Sequence, residues 1–149
     1  MERRKFLGLG LVAAALVPAS LSAVDFRATK PDTWTAHNVA DGIKALYGDT
    51  AITPSEDLTV KAPKIASNGG AIPVTIKSTL DVKSVAIFQD ANPESAVAVF
   101  TVATGGIVDY MTKIKMKASG EITIIAEGND GKLYSAKQKL EVALGGCEG

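Results

Sequence analysis

The chain closes on Val142-Ala143-Leu144-Gly145-Gly146-Cys147-Glu148-Gly149, and Cys147 is its only cysteine. A thiolate is a good nucleophile and can hold a sulfur group as a disulfide-like adduct. Gly145, Gly146 and Gly149 give the segment wide backbone freedom. Five extended residues, 145–149, reach about 17 Å at ~3.3–3.6 Å each. A thin, mobile arm with a sulfur near its tip points to covalent carriage: the thiol is loaded and the load is offered to buried active sites elsewhere. Other readings remain open. Termini often fray, and the cysteine can be incidental. A free thiol near the tip also suits a disulfide-linked homodimer, although that leaves the glycines without a purpose. A cysteine peroxidase or thiol transferase needs a pocket that lowers the thiol pKa and usually a resolving cysteine, and the sequence shows neither. His37, the single histidine, is the one residue that could form a Cys–His pair with Cys147. At the start of a short helix, a histidine is more commonly a solvated surface residue. One cysteine and one histidine exclude an internal disulfide and a Cys- or His-based metal cluster. No catalytic residue, metal or cofactor is expected beyond a covalent sulfur adduct.

The beginning of the chain speaks to compartment. Met1-Glu-Arg3-Arg4-Lys5 precedes an apolar run from Phe6 to Val17, followed by Pro18 and small residues up to Ala23. A basic start, a short apolar stretch and a small-residue end make an export signal, too short for a stable membrane span. Arg3-Arg4 with Phe6-Leu7 at the following offset resembles a twin-arginine signal, while a general secretory signal with a basic start has the same broad layout. Residues 1–23 are therefore set apart from the fold, and a periplasmic location is expected. The whole chain carries 16 basic and 16 acidic residues. It shows no basic run or aromatic-interleaved patch beyond the first five residues, which argues against nucleic-acid binding. No membrane association is expected once the signal is removed.

The elements that must position the arm follow from periodicity. Val39, Ile43, Leu46 and Tyr47 recur on one helical face, predicting a helix over 35–47, started by Thr33 or Thr35 and stopped at Gly48. Beyond Pro54 the period drops to two. Strands are expected around 57–62, 72–77, 83–89, 96–103, 110–118 and 121–127, with a long final strand from Tyr134 to Leu144. Lys113, Lys115 and Lys117 mark the polar face of one of them, read as solvated rather than as a docking site. Gly128-Asn129-Asp130-Gly131 is the strongest hairpin signal. About seven short strands without intervening helices predict mostly antiparallel sheets and an immunoglobulin-like β-sandwich. The single Trp34 precedes the helix, outside the sandwich. The expected organisation is a signal at 1–23, an N-terminal extension at 24–56, a sandwich at 57–144 and the arm at 145–149.

Three stretches carry a family resemblance. The tail is similar to the Val-x-x-Gly-Gly-Cys-Gly-Gly terminus of the SoxY sulfur carriers of thiosulfate oxidation. Ala62-Pro63-Lys64-Ile65-Ala66-Ser67-Asn68-Gly69-Gly70-Ala71-Ile72-Pro73-Val74 resembles the family's Pro-x-x-Ala-x-Asn-Gly-x-x-Val-Pro-Val segment. Asn92-Pro93-Glu94-Ser95 resembles its Asn-Pro-containing loop before a strand. The resemblance implies an immunoglobulin-like carrier with no catalysis of its own. It also implies a SoxZ-like subunit forming a heterodimer with this chain, a SoxAX-like haem enzyme loading Cys147, a SoxB-like sulfohydrolase and, in many systems, a sulfane dehydrogenase. The alternative is a non-catalytic immunoglobulin-like periplasmic binding module. Glu148 stands where the family usually has glycine. With the terminal carboxylate it places two negative charges near Cys147, which disfavour the thiolate.

Overall fold

The computed structural model describes residues 24–143. Among the described residues, nine strands form two sheets. They are β1 Ile52–Pro54, β2 Leu58–Lys61, β3 Ile65–Ala66, β4 Ile72–Ser78, β5 Val82–Gln89, β6 Ala96–Thr101, β7 Val108–Ile114, β8 Gly120–Gly128 and β9 Leu133–Val142. The first sheet runs β1-β9-β8-β5-β6, with β3 also on β9; the second runs β2-β4-β7. The expected immunoglobulin-like sandwich is present. The expected seven strands become nine because β1 and β3 are too short to show an alternation. Both pair in parallel with β9, whereas the remaining pairings are antiparallel. The rest of the sandwich serves as the long connection that a parallel pairing requires.

Alternation places Ile72, Val74 and Ile76 of β4 against Val85, Ile87, Ile122 and Ile124 of the first sheet, all fully buried. β5 and β8 are covered on both faces. Ala86, Phe88 and Ile125, on the opposite face, are buried as well, because helices cover that face. The first helix, α1 (Phe26–Thr29), is a single turn capped by Asp25, whose Oδ1 accepts from Arg27 N and Ala28 N. Four residues cannot show a helical period, so this turn was not anticipated. A 3-10 turn at Pro31–Trp34 follows. Trp34 Nε1 donates to Phe26 O at 3.1 Å, and the Arg27 guanidinium lies 4.3 Å from its ring centre.

The second helix, α2, spans Val39–Tyr47 rather than 35–47. Asn38 caps it, accepting from Asp41 N at 2.8 Å and donating to the Asp41 carboxylate at 2.6 Å. Thr33 and Thr35 are not the caps, because Thr33 lies buried within the 3-10 turn and Thr35 closes it. Gly48, at φ 74°, ends the helix as expected. Ile43 and Leu46 pack on Ala86, Phe88, Ile125 and Leu133, and burial of each contributes about 1.5–3 kcal/mol. The helix approaches closely at Gly42, where an added Cβ would stand 2.7 Å from Ser95 Oγ and 3.0 Å from the Phe88 ring.

The hairpin at Gly128–Gly131 closes with Gly131 N donating to Gly128 O and Gly131 at φ 80°. β7 ends at Ile114 rather than near Ala118. Burial still alternates through Met116, whose N–H donates to Gly69 O, but Ala118 is exposed. The expected final strand reaches Leu144, which lies outside the described residues.

Beyond the end of α2's packed face, Tyr47 OH lies 3.3 Å from Ser84 Oγ, which donates to Glu127 at 3.1 Å. Burial pushes the Tyr47 hydroxyl up to about 12, partly opposed by the Ser84 hydrogen bond and reinforced by the Glu127 charge.

Two outcomes follow from this packing. Gly42→Val should destabilise the fold by about 2–3 kcal/mol, since overpacking and a β-branched helix residue outweigh glycine's poor helix propensity; urea unfolding measures it. For Tyr47, the unfolded hydroxyl ionises near pH 10 while the folded one stays protonated toward about 12. The folded state then holds the extra proton, so this contribution is present below about pH 10 and is lost as pH rises toward 12. Tyr47→Phe should remove that part of the alkaline loss, read as a shallower fall in unfolding free energy between about pH 10 and pH 12.

Candidate functional site

β9 is the longest strand and leads directly toward the arm. It is held on one side by β8 along nearly its whole length, from Glu127↔Leu133 to Gly120↔Leu140. On the other side, β1 pairs with residues 133–135 and β3 with 141–142. The gap between them is bridged by Gln138, whose side-chain amide accepts from Ala62 N at 3.0 Å and donates to Ala62 O at 2.5 Å. The last turn of grip is close to the arm. Glu141 N donates to Lys64 O at 2.8 Å, Val142 N to Ser119 Oγ at 2.9 Å and Ala143 N to Ala66 O at 2.9 Å. The arm therefore has a fixed root at Ala143.

Cys147, Gly145, Gly146, Glu148 and Gly149 lie outside the described residues, as do Arg3 and Arg4. The structure thus places the root of the predicted arm. His37 lies just before α2, not within it, and is exposed. Its Nδ1–H donates to Pro93 O at 3.0 Å. Lys113, Lys115 and Lys117 are exposed and make no ion pair with a described residue.

A groove of about 850 Å³ opens beside the arm root. Lys61, Lys64 and Lys139 line it together with Asp90, Glu121 and Glu141, around a floor of Ala62, Gly120 and Leu140. Its formal charges balance. Glu121 is also paired with Lys137 at 3.1 Å, and Ser119 Oγ is already committed to Val142 N. Among the described residues, no group of three or more His, Cys, Asp or Glu side chains could hold a metal ion. The described residues that line the groove include no cysteine or histidine.

The loop at one wall of this groove is internally tied. Buried Gln89 donates to Glu94 O at 2.7 Å and accepts from Ala91 N and Asn92 N, both at 2.7 Å. Asn92 clamps Lys115 O and Lys117 N, and Asp90 Oδ1 accepts from Glu121 N at 2.7 Å. Ser95 Oγ donates to Ala36 O and Asn38 O. Sequence reasoning missed the groove because its lysines come from separate segments. Gln138 did carry a signal: it is the one polar residue in the inward row of Tyr134, Ala136, Leu140 and Val142.

The family described as sulfur oxidation protein SoxY matches residues 43–147, a span that ends on Cys147. The solved sulfur carrier protein SoxY from Chlorobium limicola f thiosulfatophilum is 30% identical, with a TM-score of 0.64 over 78% of this chain and 95% of that one. A superoxide reductase (neelaredoxin) from Ignicoccus hospitalis aligns with a TM-score of 0.53 at 16% identity, over 59% of this chain and 81% of its own. A putative superoxide reductase from Thermotoga maritima gives 0.50 at 16% identity, over 64% and 88%. Likeness at 16% identity shows the shared fold alone. No protein of curated function matches the chain in sequence. The family match over most of the chain and the 30% identity to a solved carrier together place this chain in the SoxY family of sulfur oxidation proteins.

Proposed function

We propose that this chain is a covalent sulfur carrier whose attachment point is Cys147 and whose moving part is the segment beyond Ala143. The observation that carries this reading is the pairing of a strand root held up to Ala143 with a glycine-bordered tail bearing the chain's only thiol. A fixed root keeps the search of the arm local, and glycines let the thiol turn within a partner's active site.

In the proposed cycle the Cys147 thiolate joins the outer sulfur of thiosulfate. A sulfur–sulfur bond forms and two electrons leave to a haem enzyme of the SoxAX kind, giving Cys147–S–S–SO3⁻. A SoxB-like hydrolase then adds water across the terminal S–S(O3) bond. Sulfate and two protons depart, and a persulfide remains on Cys147. A sulfane dehydrogenase is a further candidate to act on that persulfide. The carrier supplies attachment and reach, and the partner enzymes supply catalysis. A SoxZ-like subunit as heterodimer partner and a periplasmic location after removal of residues 1–23 belong to the same proposal.

Protein purified from its native host should show intact-mass increments of sulfur or thiosulfonate that disappear on reduction and are absent from Cys147→Ser. Increments that persist in the serine variant would overturn the assignment; a thiol found only as an intermolecular disulfide would favour a dimer-forming cysteine instead. The acidic tip provides a second outcome. Glu148→Gly should lower the Cys147 pKa and speed alkylation by neutral iodoacetamide near pH 7. Two charges about 4 Å apart in water interact by only about 1 kcal/mol, so the gain should be a few-fold at most and should shrink as salt is added. Equal alkylation pH profiles at low ionic strength would contradict the electrostatic role of Glu148.

A further inference from the structure

The outer face of the second sheet is bare. The helices pack on the first sheet, and Thr59, Lys61, Pro73, Lys77, Asp109, Met111 and Lys113 of β2, β4 and β7 are all exposed. Strand register puts Lys61, Thr75 and Met111 in one row and Pro73 beside Lys113 in another. Asp109 is the one carboxylate on these three strands, and it is paired with Lys77 at 3.1 Å. Lys61 and Lys113 make no ion pair with a described residue.

The lysine row continues past the end of β7 toward the arm. Burial alternates through Met116, so Lys115 and Lys117 stay on the exposed side. Asn92 holds both positions, donating to Lys115 O at 2.7 Å and accepting from Lys117 N at 2.9 Å. Two residues further on, Ser119 Oγ accepts from Val142 N at the arm root. Lys61 also lines the groove beside that root. The carboxylates nearest the root, Asp90, Glu121 and Glu141, belong to the first sheet and its loop and line the same groove. At the other end of the second sheet the loops bring together Glu56, Asp57 and Asp81, with Thr79 N donating to Asp57 O and Asn129 N to Asp81 O. The face is therefore positive toward the arm root and negative away from it, a separation that orients a charged surface before contact.

We propose that this face docks an acidic protein surface, the rim around the active-site entrance of an enzyme that takes the arm; the inference rests on the carrier function proposed above. The tail is itself acidic, through Glu148, the terminal carboxylate and a thiosulfonate load. A pocket that receives it must be positive, whereas four lysines leading to its root call for negative charge outside the pocket. The two signs together favour one orientation and oppose the others. The residue types suit a carrier that visits several enzymes. Lysine is a compact charge on a flexible stem, without the rigid fork by which arginine selects one geometry. Met111, 66% exposed, lies in the row of Lys61 and two residues from Lys113. It gives an adaptable apolar centre of the kind found on surfaces with more than one partner. Charge steering raises the rate of encounter without requiring a tight complex.

The haem enzyme of the loading step, purified from the same host, tests this in two arms. In the first, the full-length Cys147→Ser chain binds the immobilised enzyme, so that docking is read without loading. Replacing Lys113, Lys115 and Lys117 together by Glu should slow association about ten-fold or more at low salt, and the difference should shrink as salt is added. Replacing the exposed Lys30, Lys44 and Lys132 by Glu changes the net charge equally and should have a much smaller effect. In the second arm, thiosulfonate loading of Cys147 is followed by intact mass at limiting carrier and should fall in parallel with association. Loading that proceeds equally with the reversed face would overturn the docking proposal and leave the carrier function standing. Face-dependent binding without any loading would do the opposite. Equal losses in the two triple variants would reduce the effect to net charge and overturn the proposal. So would a face that captures phosphatidylglycerol vesicles and not the enzyme.

Discussion

The structure depends on the two-sided hydrogen bonding of β9. A strand that ends at a sheet edge ordinarily leaves one row of backbone groups to water, and its last residues open readily. Here the outer row is taken up by β1, by the Gln138 amide and by β3 in succession. Ser119 adds a bond at Val142 from the other side. The strand is thereby rigid to its last described residues. That rigidity gives the tail beyond it a defined origin, without which glycines would only lengthen a loose end.

The central strands of the sheet that carries β9, β5 and β8, are largely buried on both faces. Sandwich packing supplies one layer, from Ile72, Val74 and Ile76, and α2 supplies the other, through Ile43 and Leu46. The N-terminal extension is therefore part of the support for the strands that lead to the arm. Its junction with the sandwich is narrow and polar as well as apolar: Gly42 admits the helix close to Phe88, while Ser95 hydrogen-bonds the backbone just before and at the helix cap. The Gln89–Ser95 loop links this junction to the end of β7 and the start of β8. The walls of the groove beside the arm root are consequently held by both layers.

The contrast between the β9 and β6 edges bears on how a carrier of this size divides its surface. The β9 side is occupied by its own covering strands. The β6 side is apolar, straight and free of charge over Ser95–Val108.

Much of this was legible in the amino-acid order. The period of two gave the long strands, the helical spacing gave α2 and its stop at Gly48, and Gly128–Gly131 gave the hairpin, because these signals are local. The single cysteine among glycines marked the candidate site for the same reason: residue type and spacing define a tether without reference to the rest of the chain. The start of α2 was misplaced by four residues, since Thr33 and Thr35 are as good caps as Asn38 until the preceding 3-10 turn uses them. β1 and β3, with three and two residues, have no pattern of their own and exist because β9 offers them a free edge. Which face of β5 and β8 is covered, where Lys61, Lys64 and Lys139 meet beside the arm root, and which strand is left at the open edge were decided by tertiary structure alone. Each depends on pairings between residues far apart in the chain, and local periodicity records which side chains share a face but not what that face will meet.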